Sequence, residues 1–259
     1  MKVKALGSSG GRTPDDALTS YLLNKHTLLD VGGACSVLNE KQQLAIDRIL
    51  ITHSHLDHIY SLAFLLDTVL GKRKKPIEII SVAKVLDIIK KDLLNGKIWP
   101  DFSKPLSKGQ KAIAKYRPIQ AGKRVKIGSY YVEAIRVNHP VPAVGFIIDD
   151  GDATLFYTGD MGPTPHVWEK IKKMDTKINA LLTELSFPNA MHSLALLSGH
   201  LTPDMLEDGM IEAGIRDIPV YISHMKPLYV KRLMKELDRL PRKNIHVVED
   251  GQTFIVKPR

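Results

Sequence analysis

Short apolar, β-branched runs alternate along this chain with stretches of helical period. Residues 3–6, 20–24, 27–31 and 48–52 read as strands, each bounded by polar or turn-forming positions. Residues 59–70 carry their apolar side chains at helical spacing and stop at Gly71. A strand at 77–81 and a helix at 82–94 follow, the helix closed by Asn95 and Gly96. Residues 99–109, interrupted by Pro100 and Pro105, predict irregular chain.

The middle of the chain changes period. Residues 111–119, 124–127, 130–137, 143–149 and 153–157 fit a meander, with Asp150-Gly151-Asp152 as a hairpin turn. Beyond it come a helix at 165–174 and a strand at 178–184. A helix at 203–213 has Thr202 placed to cap it. A strand at 219–223, a helix at 227–240 and strands at 244–248 and 253–256 complete the pattern. Each half supplies strands followed by helices, so two sheets packed face to face with helices outside account for the order. No linker, low-complexity tract or strong repeat divides the chain, which predicts one domain over residues 1–259.

Composition narrows the classes. The chain has 259 residues, enough to hide roughly 70–75% of its unfolded surface. Apolar residues make up 44% and charged residues 25%, and no run of eighteen apolar residues exists to span a bilayer. The N-terminal residues lack the apolar segment of a secretory signal, which predicts a cytoplasmic address. Cys35, the single cysteine, has no partner for an internal disulfide and reads as a small buried residue. The net charge of +9 favours anionic partners, but the basic residues are dispersed. The densest run, Lys72 to Lys75, reads as a solvated helix end.

The candidate chemistry lies in His53-Ser54-His55-Leu56-Asp57-His58, directly after a predicted strand. Imidazole nitrogens and carboxylate oxygens suit zinc and similar divalent ions. In extended chain His53 and His55 project to the same side, so one metal can take both, while Asp57 and His58 are offset toward a second. Without a metal such a cluster leaves costly unsatisfied polar groups. Further ligands are expected at other strand-to-loop junctions, where His139, Asp160, His200 and His224 sit.

The order His-x-His-x-Asp-His, His, Asp, His resembles the metallo-β-lactamase superfamily over nearly the whole chain. The resemblance implies an α/β four-layer αβ/βα sandwich. It implies one metal on His53, His55 and His139, another on Asp57, His58 and His224, and Asp160 bridging them. Asp30, in Leu28-Leu29-Asp30-Val31-Gly32, is similar to the superfamily's supporting aspartate. Leu56 within the motif, the segments around Glu184-Leu185-Ser186-Phe187-Pro188-Asn189 and Ser198-Gly199-His200-Leu201-Thr202-Pro203, and Ile222-Ser223-His224-Met225-Lys226-Pro227 resemble class II 3′,5′-cyclic-nucleotide phosphodiesterases. The chain departs from that group's signature at Leu66 and Asp67. The tRNA 3′-processing endonucleases of the same superfamily also carry a matching glutamate and histidine.

The resemblance thus implies a phosphodiesterase with two divalent ions, zinc by default and manganese or iron compatible. It would open 3′,5′-cyclic nucleotides such as cAMP or cGMP to 5′-monophosphates through a metal-held hydroxide. Asp57 would orient the nucleophile; His200, fixed by Glu184, would meet the phosphate or protonate the leaving oxygen. RNA is the alternative substrate, an acyl hydrolase or a non-enzymatic nucleotide-binding module a remoter one; no membrane partner is expected, and a homodimer is compatible. Lys226 is a candidate phosphate contact, Phe187, Asn189, Met191 and His192 candidates for a base pocket or for packing, and Trp99 and Phe102 candidates for a lid.

Overall fold

A computed structural model describes residues 1–174 and 177–258. The first half of the chain forms β1 (Lys2–Gly7), β2 (Ser20–Leu23), β3 (Thr27–Leu29), α1 (Ala34–Val37), α2 (Glu40–Leu44) and β4 (Arg48–Leu50). It continues with α3 (Leu56–Ile59), α4 (Leu62–Thr68), β5 (Ile77–Ser81), α5 (Ala83–Ile88) and β6 (Ala114–Pro118). The second half adds β7 (Arg124–Ile127), β8 (Tyr130–Arg136), β9 (Val144–Asp149), β10 (Thr154–Tyr157), α6 (Pro165–Lys173) and β11 (Ala180–Glu184). Then come α7 (His192–Ser198), α8 (Pro203–Glu212), β12 (Val220–Ser223), α9 (Val230–Leu237), β13 (Ile245–Val247) and β14 (Thr253–Ile255).

Among the described residues the strands form two seven-stranded sheets, ordered β14-β1-β2-β3-β4-β5-β6 and β13-β12-β11-β10-β9-β8-β7. Each is antiparallel at one end and parallel at the other, β3 to β6 in the first and β10 to β13 in the second. Side-chain alternation explains how they stack. Val132, Phe146, Leu155, Tyr157 and Leu182 of the second sheet meet Leu50, Ile80 and Tyr21 of the first in one inner core. The intervening Ile147, Phe156 and Leu181 face outward onto α6, α8 and α9, through Trp168, Leu206 and Leu233. On the other outer face Ile49, Ile51, Ile77 and Ile79 pack under Leu62, Leu65, Leu66 and Val85 of α4 and α5. The result is the four-layer αβ/βα sandwich that the pattern predicts.

Local differences from the expected elements have local causes. α1 and α2 are too short for a periodic signal; α2 is set by the Asn39–Gln42 capping box rather than by an apolar stripe. The helix expected at 59–70 begins earlier, at Leu56, and breaks around Tyr60 and Ser61, where the Ser61 hydroxyl donates to the carbonyl of Gly32 at 2.7 Å. The helix expected at 82–94 ends in a wider turn over Ile89–Leu93. α7 was not marked by the pattern because Leu194, Leu196 and Leu197 are exposed and only Ala195 is buried. Thr202 caps α8 as expected. In the basic run Lys72, Lys74 and Lys75 are exposed as expected, while Arg73 is nearly buried, pairing with Asp47 at 2.8 Å and donating to the carbonyl of Leu44. Phe102 is fully buried in the core under the first sheet and Trp99 packs its ring 5.3 Å from Phe64, so neither stands as a free lid. Among the described residues no helix is long and apolar enough to cross a membrane.

Candidate metal centre

The parallel strands end along one rim of the sandwich, and the polar residues of the motif lie just past those ends. The chain leaves β4 through Ile51 and Thr52, places His53 and His55 in extended backbone, and turns into α3 at Leu56. The rings of His53 and His55 are 4.7 Å apart, and that of His139, beyond β8, is 4.7 and 4.8 Å from them. One nitrogen from each of these three rings lies within 4.8 Å of the others. Asp57 and His58 of α3, Asp160 after β10 and His224 after β12 form a second group on the same criterion. Asp160 stands between them, with carboxylate oxygens 3.7 Å from His53 Nε2, 3.2 Å from His58 Nε2 and 3.1 Å from His224 Nε2.

The outer hydrogen bonds settle which nitrogens face inward. His58 turns Nδ1 to Asp30 Oδ2 at 2.8 Å, and His139 turns Nδ1 to the carbonyl of Gly199 at 2.9 Å; both partners only accept, so both Nδ1 atoms carry the hydrogen. Thr52 gives its hydroxyl hydrogen to Asp30 Oδ2 and so accepts from His53 Nδ1 at 3.0 Å. Thr19, which donates to the carbonyl of Ser9, likewise faces His224 Nδ1 at 2.8 Å. With the Nδ1 hydrogens committed outward, the Nε2 atoms converge on the Asp160 carboxylate, where a bound cation would take their lone pairs. His53 Nε2, His58 Nε2 and Asp160 Oδ1 are buried without a hydrogen-bond partner. Converging lone pairs on buried, partnerless atoms are the donor set a divalent cation satisfies, so the residues present fit a metal.

The electrostatics point the same way. Burial and the neighbouring His58 hold His53 well below the usual histidine range. Burial lowers His139 and His55 as well, against the pull of nearby carboxylates. His58 is held well above the usual range: burial opposes its charge, but Asp160 and Asp30 more than offset it. Asp160 is held well below the usual carboxylate range, because His224 and His58 outweigh its burial. The pocket thus demands positive charge beside Asp160.

His200 and Glu184 sit alongside. Glu184 ends β11 and is buried; its Oε1 takes His200 Nδ1 at 2.9 Å and the backbone N–H of Leu201 at 3.1 Å, and its Oε2 takes Ser186 Oγ at 2.8 Å. The His200 ring lies 5.4 Å from that of His139 and is stacked 5.7 Å from that of His224, between the two groups. Burial lowers the His200 pKa, but the charge and hydrogen bond of Glu184 prevail and raise it. Lys226 holds its ammonium 5.4 Å from the centre of the Phe187 ring, which itself lies 5.7 Å from His200.

All seven residues expected to hold metal are brought together, as are Glu184 and His200, while Asp30 supports from behind. Asn189 is used elsewhere: its N–H donates to Glu236 and its Oδ1 accepts from Asp204, tying α8 to α9. Met191 packs against the outer core, and His192 is exposed. Cys35 is half-buried, its thiol pushed up to about 11 by burial, which removes it as a nucleophile. Sequence reading missed Thr19, Thr52, Tyr157 and Ser186, because single hydroxyls next to strand ends carry no distinguishing pattern. Gly10 in Ser9-Gly10-Gly11 is a legible signal: a Cβ there would meet the His224 carbonyl oxygen at 2.5 Å and its ring at 2.8 Å. His224 itself adopts φ 58°, held by its N–H to the carbonyl of Ser8 at 2.5 Å.

Comparison with known proteins places the fold and the family. The profile of the family described as "Anti-Pycsar protein Apyc1" matches residues 1–203. Ribonuclease Z of Pyrococcus horikoshii is 29% identical over 221 residues, covering 78% of this chain and 68% of that protein. Among solved structures, unliganded yeast PDE1 superposes with a TM-score of 0.82 at 17% identity, covering 97% of this chain and 98% of that one. The metallo-β-lactamase fold protein YhfI from Bacillus subtilis superposes with a TM-score of 0.77 at 20% identity, covering 98% and 99%. The fold is therefore the metallo-β-lactamase fold.

Proposed function

The chain belongs to the family of the anti-Pycsar protein Apyc1, hydrolases of the metallo-β-lactamase fold, and on that premise we propose that it opens 3′,5′-cyclic nucleotides to 5′-monophosphates at a centre of two divalent ions. His53, His55 and His139 would hold one ion and Asp57, His58 and His224 the other, with Asp160 reaching both. When bound, two such ions supply Lewis acidity toward phosphate oxygens and make hydroxide available near neutral pH. The imidazole-rich donor set favours zinc, and manganese or iron accept the same atoms.

The observation that carries the phosphodiester reading is the Glu184–His200 pair. A metal centre alone needs neither residue. Glu184 fixes the His200 ring through Nδ1 and, against its burial, raises its pKa, leaving Nε2 free of hydrogen bonds among the described residues. A protonated imidazole beside the metal groups suits transfer of a proton to the departing 3′ oxygen. Asp57, the most exposed of the carboxylates at the centre, would orient the attacking water. Lys226, partly buried and without a salt-bridge partner among the described residues, supplies a positive charge for the phosphate. Cleavage of an RNA 3′ extension is the second reading, favoured by the Ribonuclease Z relatives and the +9 charge.

Metal-loaded protein incubated with 3′,5′-cyclic AMP and, separately, with a 3′-extended tRNA distinguishes the two. Chelator-sensitive formation of 5′-AMP is the expected result. A cut tRNA beside untouched cyclic AMP would replace the leading reading with the second.

A further inference from the structure

Strand order in the two sheets is also an order of positions along the rim. On the first sheet Asp30 follows β3, His53 follows β4, Val82 follows β5 and Pro118 ends β6. On the second, His224 follows β12, Glu184 ends β11, Asp160 follows β10, and the β8–β9 connection carries His139 to Ala143. Apart from His139, the candidate metal residues occupy the part of the seam from β3 and β4 across to β10 and β12. The part between β5 and β6 on one side and β8 and β9 on the other is left over.

That part is a groove of about 770 Å³ that begins at His139. Its volume lies high in the range of small-ligand pockets, about 300–1,000 Å³. Val82, Ile119 and Pro142 give it apolar wall, and Pro140 and Pro142 fix the backbone of the connection that bounds it. Lys84 and Arg136 are its charged residues, both exposed, and neither has an ion-pair partner among the described residues. No carboxylate among the described residues lines it. A cyclic mononucleotide carries a single phosphate, which the metal centre takes, so these two cations have nothing to meet on it.

We propose that this groove is a subsite for the continuing single strand of an oligonucleotide, with base faces on its apolar wall and non-scissile phosphates at Lys84 and Arg136. A positively charged groove that follows the backbone is one element of single-stranded nucleic-acid sites; here aliphatic side chains and prolines stand where such sites commonly place aromatic rings. The proposal rests on the phosphodiester reading for the position of the cleaved bond. It extends that reading from a cyclic mononucleotide to a short single strand entering from the His139 side.

Fluorescence anisotropy tests it, using metal-loaded protein and a fluorescein-labelled hexauridylate with slowly cleaved phosphorothioate linkages. The hexamer is expected to bind more tightly than labelled 5′-UMP. Lys84→Glu and Arg136→Glu are each expected to weaken hexamer binding about tenfold, the scale of one charge-assisted hydrogen bond. Each should also reduce the slope of log affinity against log salt by roughly one. Lys84→Arg and Arg136→Lys should keep the affinity, and circular dichroism melts of all four variants establish that they fold. Equal hexamer affinity in wild type and both charge reversals, or no gain of hexamer over mononucleotide, overturns the proposal. Cyclic AMP turnover by the wild type is recorded in parallel: its absence counts against the proposed function, whereas missing hexamer binding with intact turnover removes the groove alone.

Discussion

The hydroxyl of Tyr157 donates to Oδ2 of Asp30 at 2.6 Å, joining residues 127 positions apart and the two sheets at the edge of the metal centre. Asp30 is fully buried and holds a left-handed backbone with φ 51°. Its carboxylate also takes the Thr52 N–H and hydroxyl and His58 Nδ1, each at 2.8 Å. Tyr157→Phe removes one donor from this buried anion and is expected to cost about 1.5–3 kcal/mol, the range for hydrogen bonds to charged groups. Urea denaturation of the metal-loaded variant reads the loss, and metal titration should show weaker binding because the orientation of His58 depends on Asp30.

His200→Ala is expected to slow turnover by about 10²–10⁴-fold, the usual contribution of a positioned proton donor, while metal content stays at the wild-type level. Elemental analysis beside a steady-state assay checks this. Loss of metal with activity would make His200 a ligand.

The Glu184–His200 contact also sets a pH dependence. The folded His200 pKa is raised above its ordinary value of 6.5, so the pair stabilises fully below that value and the contribution is lost as pH rises through the elevated one. If protonated His200 delivers the proton, the rate falls on the alkaline side at the same elevated value. Glu184→Gln removes the charge that raises it, and the alkaline limb of the rate profile should move to lower pH. An unmoved limb would assign that titration to another group.

Removing metal should destabilise the fold as well as silence it. His53 Nε2, His58 Nε2 and Asp160 Oδ1 are buried without partners, so a chelator exposes the full cost of those groups. Readdition of a divalent ion at a hundred times its Kd is expected to restore about 2.7 kcal/mol per site. Melting temperature against free metal concentration measures it; a melting temperature indifferent to metal would contradict the assigned donor set.

Gly10→Ala is expected to displace His224, because the new Cβ would stand 2.5 Å from its carbonyl oxygen and 3.0 Å from its Nε2. The loop cannot yield easily: Asp250 accepts from the Ser8 N–H at 2.8 Å and from the Ala17 N–H at 2.7 Å, pinning both ends. The group of Asp57, His58 and His224 should lose metal affinity before that of His53, His55 and His139. Stepwise metal release, followed by calorimetric titration, distinguishes the two.

Much of this was legible in the chain itself. The period-two runs place Val132, Phe146, Leu155 and Leu182 on one face and their neighbours on the other, because strand side chains must alternate. Those runs, with the helices between them, give the layers. The motif from His53 to His58 marks a candidate metal site because imidazoles and carboxylates at that density suit a divalent ion, and His139, Asp160, His200 and His224 are marked by standing where apolar strands stop. Tertiary structure alone decided the rest. Thr19, Tyr157 and Ser186 are ordinary residues until the fold brings them to His224, Asp30 and His200 across 205, 127 and 14 positions. Lys84 and Arg136 line a common groove only because β5 and β8 end on facing sheets. Alternation and ligand type are local properties that each segment carries by itself, whereas a hydrogen bond or a groove between distant segments exists only once packing has fixed the distance between them.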